Sequence, residues 1–243
     1  MSDSREASAQ SSEVSTRSST VEEWTSALAL STGSPGGGAG TGLMLAVASS
    51  LASMVAGYTE TEGQARAEVD RIRARAQSLR ASALRLADDD ASASQAFGAA
   101  FRLDPGPARE EAVRNASLDA ARSSAAVGER ACEALDDLAW LATHGNPALV
   151  ADVVVALGAL RAAVTGARTN VSFDLGALRS GGKTLKQIQK DHPDLWSKVA
   201  QFNEAIARID ALTAEIDHRA APTDTSAPTI RNASGPRSSG SGG

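Results

Sequence analysis

The chain has 243 residues, a net charge of −5 and 3% aromatic residues. An acidic balance without a long basic run excludes a general nucleic-acid binder, and a single cysteine, Cys132, excludes disulfide staples and a thiolate metal site. With the apolar-poor ends set aside, about 200 residues remain, enough for one domain with a real core.

Residues 1–19 are mostly Ser, Glu and Thr, and residues 219–243 are rich in Ser, Gly, Pro and Thr. Neither end buries enough apolar surface to offset its ordering entropy, so both read as disordered tails around a domain at 20–218. No basic-then-apolar leader opens the chain, which reads as cytoplasmic. "TVEE" at 20–23 is a capping box, Thr20 capping and Glu23 reaching back, for a helix that ends near Leu30. "SPGGGAGTG" at 34–42 then breaks the chain, and a second helix runs from just after the glycines to about Tyr58. From Trp24 to Thr59 no residue is charged. The glycine break and the Ala, Ser and Gly content leave this stretch short of the roughly 20 continuous apolar residues of a membrane span, so no membrane partner is expected.

A long amphipathic helix follows from Glu60 to about Arg102, its apolar stripe being Val69, Ile72, Ala76, Leu79, Ala83 and Leu86. Basic residues between Arg66 and Arg85 alternate with acidic ones and read as a solvated face. "LDPGP" at 103–107 stops this helix, and another runs from about Ala108 to Thr143 with Gly145 as a left-handed cap. Asn146 and Pro147 open "ALVADVVVALGALRAAV", apolar on several faces and so the buried central helix, bent near Gly166. Leu195, Val199, Phe202, Ile206, Ile209 and Ile216 mark a terminal helix over 191–218, at spacings that suit packing on a neighbouring helix or subunit. The expected fold is all-α, a single up-and-down bundle of six to eight helices.

The glycine loop lacks the Lys-Ser or Lys-Thr of a P-loop and the spacing of a dinucleotide fingerprint. It either brings backbone close to a ligand, with free N–H groups at a helix start, or forms a crowded turn against another subunit. In "DDDA" at 88–91, Asp88 and Asp89 read as a solvated acidic face, while Asp90 lies near the inner stripe. Asp152, among Val150, Val153, Val154 and Val155, either pairs with an arginine such as Arg114 or Arg161 or faces a ligand pocket. Asn170 and Asp174 are four residues apart and share a helix face. His144, His192 and His218 fall near helix ends, as caps or surface groups. No nucleophile arrangement and no metal constellation is visible in the sequence.

In this order, Pro35–Gly38, "LASMVAGYT", "DDDA", "GNPALVAD" at 145–152 and "NVSFDL" at 170–175 resemble the cyclodeaminase/cyclohydrolase family. That family comprises the C-terminal domain of formiminotransferase-cyclodeaminase and the stand-alone methenyltetrahydrofolate cyclohydrolases. The resemblance spans about 20–218 and implies an all-helical tight homodimer acting on a small folate-derived substrate, with neither metal nor redox cofactor. It implies amidine chemistry at folate N5 and N10: closure of 5-formimino-tetrahydrofolate with loss of ammonia, or addition of water to the 5,10-methenyl cation. Asp90 and Asp152 would then be the carboxylates that stabilise a delocalised cation, with Asn170 orienting the reacting unit. Gly36, Gly37 and Gly38, with Asn146 and Asp174, would line the substrate, and Arg114 would meet the glutamate tail. Four positions depart from the family pattern: Ala39 replaces a serine, Gly57 an asparagine, Ala151 a serine and Asp174 an asparagine. That pattern equally fits a member repurposed as a cyclase or deaminase of a small amine or imine, and the fold also fits a non-catalytic helical dimer.

Overall fold

The computed structural model describes residues 15–31 and 34–220. Seven α-helices account for most of them: α1 (Val21–Leu28), α2 (Gly37–Gly57), α3 (Gly63–Phe101), α4 (Pro107–His144), α5 (Val150–Ala177), α6 (Leu185–Asp191) and α7 (Pro193–Ala220). Short 3-10 turns at Pro147–Leu149 and Leu178–Gly181 flank α5, and no strand occurs among the described residues. The all-α reading is correct. Of the expected tails, residues 1–14 and 221–243 lie outside the described residues.

Local signals set most helix ends. Thr20 and Glu23 form the capping box: the Glu23 N–H donates to the Thr20 hydroxyl at 3.2 Å, and the Thr20 N–H donates to the Glu23 carboxylate at 2.8 Å. One expectation at the α4–α5 junction needs correction. Gly145 is extended, with φ −73° and ψ 177°, so α4 ends without a left-handed cap. Helix α5 continues through Gly166 to Ala177; a side chain at Gly166 would collide with the Thr41 hydroxyl of α2, so this glycine allows close approach of two helices.

The α3 stripe is buried as its spacing predicts. Val69, Ile72, Ala76, Leu79 and Ala83 are buried, Leu86 partly so, and the next inward positions are Ala87, Asp90 and Ala91. On the outer face Arg66 pairs with Asp70, Arg71 with Glu68, and Arg75 with Glu68 and Asp137. Helix α5 packs on α2, α4 and α7, burying Leu157, Leu160, Val164 and Val171. It is less enclosed than its composition implies, since Val155 remains 60% exposed. Aromatic scarcity is met by small-residue packing: the Phe202 ring of α7 fills the notch left by Gly128 of α4, beside Ala167.

Helix α2 begins at Gly37, inside the glycine run, so the run is not a break. Counting the glycines, α2 is long and apolar enough to cross a membrane, as is the segment Pro147–Ala177; the first is 56% buried within the bundle and the second 33%. Gly42 lets α2 lie directly on α3: a Cβ there would stand 2.8 Å from the Ala87 Cβ and 3.1 Å from the Ala83 carbonyl oxygen, both backed by helix backbone. Gly42→Val is therefore expected to lose about 1–3 kcal/mol through overpacking, measured as a lowered urea midpoint with an unchanged slope.

Candidate functional site

The start of α2, the middle of α3 and the end of α5 meet at one end of the bundle. Asp90 lies on the inward stripe of α3, only 4% exposed, and its carboxylate sits directly beneath Gly38, where any side chain would strike both carboxylate oxygens. The Ala39 N–H and the Ser94 hydroxyl donate to this carboxylate, yet its Oδ2 atom has no hydrogen-bond partner. Burial pushes the Asp90 carboxyl above the usual carboxylate range, and the two donated hydrogen bonds only partly oppose it.

Asp174, on the last two turns of α5, is pushed up to about 6, first by burial and then by the charge of Asp90. These two carboxylates are thus electrostatic neighbours. Asn170 stands one turn before Asp174 and one turn after Gly166, the point where α5 touches Thr41. Elsewhere on the start of α2, Gly36, Gly37 and Gly40 have open space where a side chain would project. The N–H groups of the first helical turn have no partner within the helix, apart from the Ala39 N–H already bound to Asp90.

The wall behind this site is built by the N-terminal segment. Asp88 is not simply solvated: it accepts from the Ser15 hydroxyl at 3.0 Å and from the Thr16 N–H at 2.6 Å. The Trp24 indole N–H donates to the Thr16 hydroxyl at 3.0 Å, and the buried indole packs with Ala39, Ala87 and Ala91. Ala39 therefore turns its side chain to this apolar cluster while its N–H serves Asp90. Across the loop before α2, Gln95 donates to the Ser34 hydroxyl at 2.8 Å.

One turn beyond Asp174, Ala177 and Leu178 border a cleft of about 250 Å³ lined also by Phe101, Arg109, Arg114 and Lys183. Arg114 thus lines a cleft one turn beyond Asp174, together with Glu110 and with two further cations that the sequence reading missed. Arg109 also stands over the Phe101 ring, 5.8 Å from its centre.

Asn146 and Asp152 are not brought to this end. Twenty-two residues of α5 separate Asp152 from Asp174, about 33 Å along a helix. The Asn146 side chain is fully engaged as a structural tie: its carbonyl accepts from the Ala148 N–H at 3.0 Å and its amide donates to the Tyr58 carbonyl at 3.0 Å. Its backbone N–H donates to the Thr59 hydroxyl at 3.1 Å. Asp152 takes neither expected arginine, since Arg161 forks onto Asp210 at 2.5 and 3.0 Å and Arg114 is in the distant cleft. Gly57 and Ala151 fall at the same far end as Asn146 and Asp152. The histidines are where expected: His144 ends α4, stacked on Trp140, His192 caps α6 and His218 is in the last turn of α7.

The site is thus a buried carboxylate, Asp90, coupled to the half-buried Asp174 under the start of a glycine-rich helix of an all-α bundle. The family model described as formiminotransferase-cyclodeaminase matches residues 20–191, and the chain belongs to that family. The fold is similar to that of formiminotetrahydrofolate cyclodeaminase from Thermotoga maritima, at a TM-score of 0.69 and 22% identity, covering 84% of this chain and 97% of that one. A comparison with curated proteins finds no match.

Because Asp174 binds its proton more tightly in the fold than in the unfolded chain, its ionisation destabilises the fold. That cost is absent below the unfolded value near 4, develops as pH rises towards about 6, and is full above it. Asp174→Asn is expected to raise the melting temperature at pH 8 and leave it unchanged at pH 3.5, as followed by circular dichroism.

Proposed function

We propose that this chain carries out a folate-dependent one-carbon step in the cytoplasm, acting as cyclodeaminase or cyclohydrolase on 5-formimino- or 5,10-methenyl-tetrahydrofolate. The observation that carries the reading is the buried Asp90 carboxylate, beneath Gly38 and beside Asp174, in a chain of this family. In the cyclodeaminase direction the N10 nitrogen bonds to the formimino carbon and loses its proton. The bond from that carbon to the departing nitrogen then breaks, and ammonia leaves with a proton. In the cyclohydrolase direction a water oxygen bonds to the methenyl carbon, a proton leaves, and one C–N bond opens to give a formyl group.

Both routes pass through a cation spread over two nitrogens, which a preorganised carboxylate in a water-poor site stabilises. Asp90 is suited to that role. Asp174, which titrates at about 6, is suited to exchange the proton with the departing ammonia or the entering water. Arg109, Arg114 and Lys183 would take the carboxylate tail of the substrate from the cleft one turn away. A protein that accelerates decay of the methenyl absorbance in the near ultraviolet, with Asp90→Asn slower by about 100-fold or more, supports this reading. A folded protein that neither accelerates this decay nor forms the methenyl absorbance from 5-formimino-tetrahydrofolate removes it and leaves the repurposed cyclase or deaminase of a small amine or imine.

The functional unit in this reading is a homodimer. Gly37, Gly40, Met44, Val47, Leu51, Met54 and Tyr58 recur every three or four residues along the outer side of α2, and Tyr58 is 64% exposed. Such a stripe has the spacing of a helix-on-helix seam and is self-complementary about a two-fold axis. Val47→Lys is expected to halve the mass seen by sedimentation equilibrium. A wild-type monomer, or wild-type protein that floats with lipid vesicles, contradicts the dimer.

A further inference from the structure

Helix α1 is attached to the bundle through very little. Of its eight residues only Trp24 is buried, while Val21 is 80% exposed and Leu28 38%. That single side chain nevertheless lands on the part of the molecule that carries the site. The indole packs with Ala39 of α2 and with Ala87 and Ala91, which flank Asp90 on α3. Its N–H donates to the Thr16 hydroxyl, while the Thr16 N–H and the Ser15 hydroxyl donate to Asp88, within one turn of Asp90. Gln95 holds the Ser34 hydroxyl from the other side of Asp90 along α3.

The Ala39 amide depends on this placement. Helix α2 opens with the Gly40 N–H, which donates to the Gly36 carbonyl at 3.0 Å. Ala39 stands one residue earlier, among the helix-start N–H groups that lack a partner in their own helix. Its partner is the Asp90 carboxylate. Whatever fixes the wholly buried Ala39 side chain against α3 therefore also fixes that hydrogen bond. We propose that Trp24 and Asp88 are positioning residues for Asp90: joined through Thr16, they form a clasp that holds the Ala39 N–H on the carboxylate. Asp88 acts through the strap at Ser15 and Thr16, and Trp24 acts through the Ala39 side chain. The meaning of the clasp for catalysis rests on the reading above, whereas its presence does not.

Hydrogen exchange of the Ala39 amide, followed by NMR in the full chain, tests the clasp. Asp88→Ala and Trp24→Phe are each expected to speed that exchange about tenfold, the worth of about one hydrogen bond. Because both act through one clasp, the double variant is expected to exchange no faster than either single variant. Ile209→Val, which weakens the buried contact of α7 far from the strap, is expected to leave Ala39 exchange unchanged. Asp88 is only partly buried, so its variant is expected to fold even where a change at Trp24 does not. Unchanged Ala39 exchange in Asp88→Ala, a double variant showing the product of the two single effects, or equal acceleration in Ile209→Val overturns the clasp. A silent methenyl assay in a protein whose Ala39 amide behaves as expected removes the folate reading alone. Folate activity with Ala39 exchange indifferent to Asp88 removes the clasp alone.

Discussion

The contact of α2 with α3 through Gly38 and Gly42 is the constraint on which the site depends. Gly42 brings the two helices to backbone contact at Ala83 and Ala87, and Gly38 lets the next turn descend onto Asp90. That descent places the Ala39 N–H on the carboxylate and seals it from water. A buried carboxylate with one unmet oxygen would ordinarily be a liability of a few kcal/mol. Here it is held between a helix start, whose dipole favours negative charge, and a second acid from α5.

Small residues organise the rest of the bundle in the same way. Gly166 admits Thr41, and Gly128 admits the Phe202 ring, so α5 and α7 close on α2 and α4 with few large side chains. The N-terminal segment then braces the assembly from outside, through Asp88 to Ser15 and Thr16 and through Trp24 to Ala39. Chemistry and packing meet at Ala39, whose side chain belongs to the core and whose amide belongs to the site.

Much of the fold was legible because its signals are local. The Thr20 capping box, the "LDPGP" stop and the apolar stripe of α3 each act within a few residues, and that same stripe carried Asp90 inward. Asn170 and Asp174 followed from helical spacing once α5 was continuous. Asp152 and Asn146 were placed with them because nothing in a linear sequence says which end of a 28-residue helix faces a loop elsewhere. The roles of Gly166 and Asp88 were missed for the same reason: their partners, Thr41, Ser15 and Thr16, are more than 70 residues away in the chain. The cationic cleft depends on Arg109 and Lys183, distant in the chain, lining one cavity, and no spacing in the sequence announces that. Ser94 was within reach of sequence reasoning, standing one turn from Asp90.

The central claim is that two carboxylates from different helices share one buried electrostatic environment. Its most direct measurement is a titration of the aspartate side-chain carbon resonances in the wild type and in Asp90→Asn. The account predicts an Asp174 midpoint near 6 in the wild type, moving towards the ordinary carboxylate range when Asp90 no longer carries charge. An Asp174 that titrates near 4 in both proteins would contradict it.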